Sequence, residues 1–171
     1  MELSPQHRRF FRNDQFLHAF AINFVFNGAI AWLLLRSLDT IPLWGDTSMG
    51  VDLLATGVLL PFLMCVIVSR VITGQVASGK LPPLAAEQIA ATGLHQRPSW
   101  VRALVLVVFG TLCGSLPLVA ILELSNAQPV PVNAFVVFKA LWAGALAAMI
   151  SPPLAWWALA AASSGERAEQ G

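Results

Sequence analysis

Two charged side chains lie where a membrane protein could do chemistry, each near the start of an apolar stretch. Lys139 is part of FVVFKALWAGALAAMIS, and Asp52 opens the stretch DLLATGVLLPF. A charge within hydrocarbon usually faces the protein interior and has a partner. Three roles therefore follow for Lys139: an ion pair with Asp52, a side chain that reaches back to the head groups, or a contact with a bound substrate. Asp52 is also explained as a carboxylate in the first turn of a helix, near water.

Two asparagines and two prolines are the other polar features of the apolar stretches. Asn23 and Asn27 are four residues apart and share one helix face. They form either interhelical hydrogen bonds or the polar lining of a path for a solute or a lipid head group. Pro152 and Pro153 lack backbone N–H groups and predict an interruption that frees carbonyl groups one turn earlier, with or without a site at the break. Together with the two charges, these residues are the candidate polar pathway or, alternatively, candidate interhelical contacts.

The elements that must position these residues are membrane helices. Of the 171 residues, 57% are hydrophobic and only 11% are charged, and the mean hydropathy is +0.70. Such a chain is typical of proteins with lipid as their solvent. A hydrocarbon core about 30 Å thick needs roughly 20 apolar residues per helix. Four stretches meet that length, approximately residues 16–36, 51–70, 101–122 and 134–161, so the sequence predicts an all-α integral membrane bundle of four transmembrane helices.

The remainder of the chain is predicted to form short flanking segments around one membrane domain, residues 16–161. Residues 1–15 are a polar N-terminal segment, residues 71–100 are the longest connection, and residues 162–171 are a disordered tail. The first apolar stretch is interpreted as an uncleaved helix; cleavage of a signal segment before Trp32 is the alternative.

The basic residues are unevenly distributed between the two sides of this predicted topology. One side carries eight of them: Arg8, Arg9, Arg12, Arg70, Lys80, Arg97, Arg102 and Arg167. The other carries Arg36 and Lys139, with Asp39, Asp46, Asp52 and Glu123. Because Lys and Arg are enriched in cytoplasmic loops, we expect both termini to be cytoplasmic.

Small residues recur at four-residue intervals in the last two helices. Gly110 and Gly114 form a GxxxG pair, which permits close approach of another helix, from the same chain or from a second protomer. Ala140, Gly144 and Ala148 form a similar stripe. We expect this stripe to meet the third helix.

The sequence lacks the familiar motifs of an enzyme. It contains no P-loop, HExxH, GxSxG or glycine-rich dinucleotide turn, and its three histidines are too scattered to predict a metal site. Cys65 and Cys113 are interpreted as packing residues, a metal pair being the alternative. We therefore expect no catalytic residue, no cofactor and no metal. The expected partners are the lipid bilayer and either a second copy of the chain or another membrane protein, and no nucleic acid.

Several stretches resemble a group of uncharacterised proteobacterial inner-membrane proteins. These are INFVFNGAIAWLLLR, IPLWG, DLLATGVLLPF and VVFKALWAGALAAMISP. The resemblance implies a bacterial inner-membrane location and a four-helix topology. It implies no activity and no catalytic residue.

Two functions of different classes fit these features. The first is a small permease or channel-like transport unit that acts as a homo-oligomer, because four helices with so few polar positions hardly enclose a pathway alone. The second is a non-catalytic structural or accessory subunit of a larger membrane complex, in which the same polar residues join helices. An enzyme would need a lipid-linked reaction at the cytoplasmic surface, and residues 71–100 suggest no acid and base for it.

Overall fold

The protein folds as a bundle of four long helices. The computed structural model describes residues 4–89, 93–126 and 129–170, with side chains through residue 165. The first to fourth helices, as they are called below, are Pro5–Leu35, Met49–Ala77, Ser99–Leu124 and Val132–Gln170. The short elements are a helical turn at Ala86–Ile89, a 3₁₀ turn at Gly93–Gln96 and two strands, Thr40–Ile41 and Val130–Pro131.

These elements confirm the predicted helical class. The structure is 82% helical, and all four long helices are long and apolar enough to cross a membrane. Each is longer than the roughly 20 residues that a hydrocarbon core requires. In a bilayer of that thickness, helices of this length would extend beyond the apolar layer or tilt within it.

The first helix begins at Pro5 rather than at residue 16, so much of the predicted polar N-terminal segment, residues 1–15, is helical. Ser4 is the N-cap, and its hydroxyl accepts a hydrogen bond from the His7 backbone N–H at 3.2 Å. Pro5 at the first helical position has a backbone angle already suited to a helix. The capping signal lies in polar sequence, where hydropathy alone does not detect a helix start.

The tail predicted to be disordered from residue 162 is instead helical as far as Gln170. It continues from the alanine run 160–162, and alanine has the highest intrinsic helix propensity. A tertiary contact also fixes it: the buried Ser163 hydroxyl accepts a hydrogen bond from the Leu84 backbone N–H at 2.9 Å. Composition indicated an unstructured polar end because it does not reveal such a contact.

The two ends of the bundle have different structures. At one end, which we call the hairpin end, the connections 36–48 and 125–131 meet. Their strands pair antiparallel, with Thr40 opposite Pro131 and Ile41 opposite Val130. A buried cluster lies beneath them, made of Leu35, Ile41, Leu43, Met49, Leu53, Val119, Val132 and Phe135.

The other end, which we call the terminal end, carries the start of the first helix, the connection 78–98 and the last turns of the second and fourth helices. A buried cluster joins these parts, and we call it the terminal cap: Phe10, Ile72, Val76, Leu81, Leu84, Ile89, Ala155, Ala158, Leu159 and Ala160. His7 donates a hydrogen bond from its ring to the Pro82 carbonyl at 2.9 Å. Leu81, Leu84 and Ile89 of the connection are thus packed onto the helix ends, although the connection is too short to form a core of its own.

The fourth helix lies at the centre of the bundle, and the first lies at its edge. In the most apolar 18-residue stretch of the fourth helix, 61% of the residues are buried, whereas in that of the first helix 11% are buried. The outward face of the first helix carries large exposed apolar side chains, among them Ile22, Phe26 and Leu33. Such a surface is suited to lipid.

Two of the long helices contain π-helical turns, Phe10–His18 in the first and Gly110–Ser115 in the third. The second lies just before Pro117, whose ring does not fit against a carbonyl four residues earlier in a regular α-helix. A wider turn relieves that clash. Both π segments rotate the side chains that follow them relative to a regular helix, which a four-residue spacing rule does not anticipate.

Candidate functional site

Lys139 and Asp52 form an ion pair between the fourth and second helices. Lys139 Nζ lies 2.5 Å from Asp52 Oδ1. The lysine side chain is 5% exposed and the aspartate side chain 28% exposed. The pair was one of three roles predicted for Lys139, and it is the one observed. The second carboxylate oxygen, Asp52 Oδ2, is buried and has no hydrogen-bond partner among the described residues.

Local sequence places both groups beneath the hairpin end. Asp52 is in the first turn of the second helix, whose entry is fixed by hydrogen bonds from Met49 N to Pro42 O and from Gly50 N to Leu43 O, both 2.9 Å. Lys139 is one turn beyond the buried Phe135 and therefore shares its inward face. The lysine side chain is nearly fully buried, and the aspartate is the more exposed member of the pair. In such surroundings charges interact more strongly than in water, so the pair is a firm bridge between two helices.

Asn23 and Asn27 do not join that pair. Asn23 Nδ2 donates to the Ala19 carbonyl at 2.9 Å, and Asn27 Nδ2 donates to the Asn23 carbonyl at 3.0 Å. Both amides therefore bond back to their own helix, a local arrangement open to short polar side chains. Neither the predicted interhelical hydrogen bond nor the predicted polar lining is observed for the described side chains.

The fourth helix continues through Pro152 and Pro153, so the predicted interruption is not observed. Pro152 is half-buried and Pro153 is exposed on the outer surface. The preceding residue, Ser151, is buried and donates from Oγ to Gln15 Oε1 of the first helix at 2.8 Å. Close packing on both sides of the prolines maintains the helix where two backbone donors are missing.

The GxxxG pair of the third helix contacts the other helices of the same chain. A side-chain carbon on Gly110 would lie 2.7 Å from Pro61 Cγ and 2.8 Å from the Gly57 carbonyl, both in the second helix. One on Gly114 would lie 3.1 Å from Leu146 in the fourth helix. The two glycines thus lie close to the second and fourth helices of the same chain, partners that the sequence left open.

The small-residue stripe of the fourth helix contacts the first helix. The prediction that this stripe contacts the third helix is therefore wrong. A side-chain carbon on Gly28 would lie 3.1 Å from Ala140 Cβ, and one on Gly144 would lie 3.1 Å from the Phe20 ring and carbonyl. Ala148 is buried on the same helix. The third helix instead reaches the fourth through Gly114 and Leu146. A stripe of small residues predicts a close neighbour, but it does not identify which helix that neighbour is.

A second polar site, which sequence reasoning missed, lies at the terminal end. We call it the arginine pocket, a cavity of about 300 Å³ lined by Ser69, Arg70, Thr73, Ser99, Arg102, Ala158 and Ala161. Arg102 is only 6% exposed. Its Nη1 donates to the Trp157 carbonyl at 3.2 Å and its Nη2 to Ser99 Oγ at 3.0 Å. Its Nε is buried and has no partner among the described residues.

The arginine pocket was missed because the loop charge asymmetry already explained its two arginines. Arg102 is the second residue of the helix predicted at residues 101–122, where an exposed basic residue is ordinary. One signal was present: Pro98 and Ser99 start the helix, and this places Arg102 in its first turn. From that position the Arg102 side chain can point into the bundle or away from it. Tertiary packing decides between the two, and the sequence does not show tertiary packing.

No group of three or more His, Cys, Asp or Glu suited to a metal ion occurs in the described ranges. Comparison with known proteins found no matching family model, no matching curated protein and no matching solved structure.

Proposed function

We propose that this protein is a non-catalytic accessory subunit of a larger membrane complex. The observation that carries the proposal is that its candidate pathway residues do not come together along one path. Asp52 and Lys139 neutralise each other, the asparagines bond to their own helix, and Pro153 points outward. In this arrangement the polar groups hold one chain together and leave no continuous polar lining among the described residues of a single copy.

The terminal end supplies the surface through which such a subunit would act. The terminal cap gives the start of the first helix and the connection 78–98 a fixed position. Arg8, Arg9 and Arg12 are exposed on this helix start, next to the buried His7 and Phe10. An ordered, basic surface favours a partner that presents acidic groups.

We place this surface on the cytoplasmic side of a bacterial inner membrane. The support is the loop charge asymmetry together with the structure of the terminal end, where Arg70, Lys80 and Arg97 are exposed near the same helix ends. The hairpin end then faces the periplasm. Its exposed Trp44 donates a hydrogen bond to Glu123 at 2.6 Å, and tryptophan is common at membrane interfaces.

Transport by a homo-oligomer is the second candidate, favoured by one specific observation. The Asp52 side chain is 28% exposed, so the aspartate side of the pair is open to a solute. In an oligomer, several such carboxylates could border one path. The four helices of one copy do not enclose it.

Replacement of Lys139 by Met separates the two candidates. Wild-type protein and Lys139→Met are reconstituted in vesicles for ion and proton flux, and each is also isolated from membranes to determine its assembly state. Our proposal predicts that wild-type flux equals that of empty vesicles and that Lys139→Met alters the stability or the assembly of the protein without altering flux. Wild-type flux that disappears in a folded Lys139→Met variant would establish transport instead. Arg36→Met, which removes an exposed cation at the hairpin end, is the matched control.

A further inference from the structure

We propose that the arginine pocket binds a phosphate group, carried either by a membrane lipid or by a soluble molecule. The inference is independent of the accessory role. It rests on the burial of Arg102, the hydrogen-bond donors around it and the space that the helices leave.

The first step is that Arg102 carries a buried charge without a carboxylate. It is 6% exposed, and no acidic side chain of the described residues forms an ion pair with it or with Arg70. Its two described hydrogen bonds go to neutral oxygens. An unpaired buried charge is costly, and an anion in the adjoining cavity would neutralise it.

The second step is the match between the free donors and phosphate oxygens. Arg102 Nε and Ser69 Oγ are both buried and without a hydrogen-bond partner among the described residues. Arg70 lines the same cavity, and its guanidinium forms no described hydrogen bond. Arginine is the side chain best suited to bind phosphate through paired donors. The four oxygens of a phosphate group can accept hydrogen bonds from donors of both the second helix, which carries Ser69 and Arg70, and the third helix, which carries Arg102.

The third step is the setting of the cavity. It lies beside the first turn of the third helix, which has no side-chain cap, and the positive end of a helix favours an anion. Ala158 and Ala161 form the wall contributed by the fourth helix, and their small side chains leave the space open. The cavity also lies near the ends of the second and third helices, where spanning helices leave the hydrocarbon and lipid phosphates are found.

The test measures binding of phosphate-bearing probes to the full chain. Delipidated protein in detergent is mixed with phosphatidic acid, phosphatidylglycerol or phosphatidylcholine, and bound lipid is quantified by native mass spectrometry. In parallel, inorganic phosphate is titrated against chloride at equal ionic strength, with the thermal midpoint as readout. The variants are Arg102→Gln, which removes the buried charge, and Ala161→Leu, which fills the cavity and retains both arginines. Arg97→Gln, an exposed arginine outside the cavity at the same end, is the charge-matched control.

We expect Arg102→Gln and Ala161→Leu each to weaken binding of the phosphate probe about tenfold or more, since a charged hydrogen bond is lost or excluded. Arg97→Gln should bind as wild type does. If the two variants lose binding of the anionic lipids alone, the phosphate group is carried by a lipid head group. If they lose only the shift in thermal midpoint caused by inorganic phosphate, it is carried by a soluble molecule. Equal binding in all four proteins, or equal weakening in Arg97→Gln, would overturn the proposal. If Arg102→Gln fails to fold, Ala161→Leu alone decides.

Discussion

The ion pair between Asp52 and Lys139 shows what residue type and position predict at the scale of single residues. Both charges lie within about two turns of a helix start at the same end of the bundle, so an ion pair was one of the roles that the sequence predicted. The role that Lys139 takes depends on how the second and fourth helices are rotated about their axes. Hydropathy carries no information about that rotation. Arg102 shows the opposite outcome. The loop charge asymmetry already accounted for a basic residue at this position, so nothing in the sequence indicated a buried guanidinium with one nitrogen unpaired among the described residues.

The pair makes a prediction about stability. Lys139→Met leaves the Asp52 carboxylate without its partner, and removing one member of a buried pair costs about 3–5 kcal/mol of unfolding free energy. Asp52 is 28% exposed, so water compensates partly and we expect the lower end of that range. The free energy of unfolding is measured by denaturant titration in mixed micelles.

The double variant Asp52→Asn with Lys139→Met provides the control for that prediction. It removes both charges, so its cost should be smaller than the sum of the single costs by about 1–3 kcal/mol, as expected for groups in direct contact. Strict additivity would mean that the two residues do not interact in the folded protein.

At the scale of elements, the four helices were predictable and their contacts were not. A run of apolar residues is a local property, and the length of such a run directly measures its fit to a bilayer. The choice of neighbour for a small-residue stripe is a property of the whole bundle. Gly144 therefore meets Phe20 of the first helix, although the stripe was expected to meet the third.

The contact between the second and third helices yields a prediction with an internal control. A side chain on Gly57 would overlap Ser115 Oγ and Cβ, so Gly57→Ala should lower the free energy of unfolding by about 1–3 kcal/mol through overpacking. Gly57→Ala with Ser115→Gly should recover part of that loss. Gly74→Ala lies in the same helix with open space around the new carbon. It should stabilise the helix by about 0.5–1 kcal/mol. Equal effects at both glycines would contradict this packing.

At the scale of the whole molecule, the account makes the two ends of the bundle chemically distinct. The terminal end has a buried cap, a basic surface and the arginine pocket, whereas the hairpin end is closed by a two-residue strand pair. The sequence predicted the charge asymmetry. It did not predict the cap, because the cap combines residues from the first, second and fourth helices and from the connection 78–98.

The orientation of the ends is testable by labelling. Cys65 and Cys113 are replaced by Ala, and single cysteines are introduced at Thr47, exposed at the hairpin end, or at Ser78, exposed at the terminal end. In right-side-out vesicles, a membrane-impermeant maleimide should label Thr47→Cys and spare Ser78→Cys. Inside-out vesicles should give the opposite pattern. Labelling of Ser78→Cys in right-side-out vesicles would reverse the proposed topology.

The central claim, that the protein acts as a subunit bound to another membrane protein, is tested most directly by native mass spectrometry. The full chain is extracted gently from its own membranes with lipids and partners retained. Arg8→Glu with Arg9→Glu, on the exposed surface of the terminal end, is compared with Arg36→Glu at the hairpin end. The account predicts one copy in a stoichiometric complex with a different, larger protein, lost in the first variant and kept in the second. A discrete homo-oligomer without any other protein would contradict it and would favour transport.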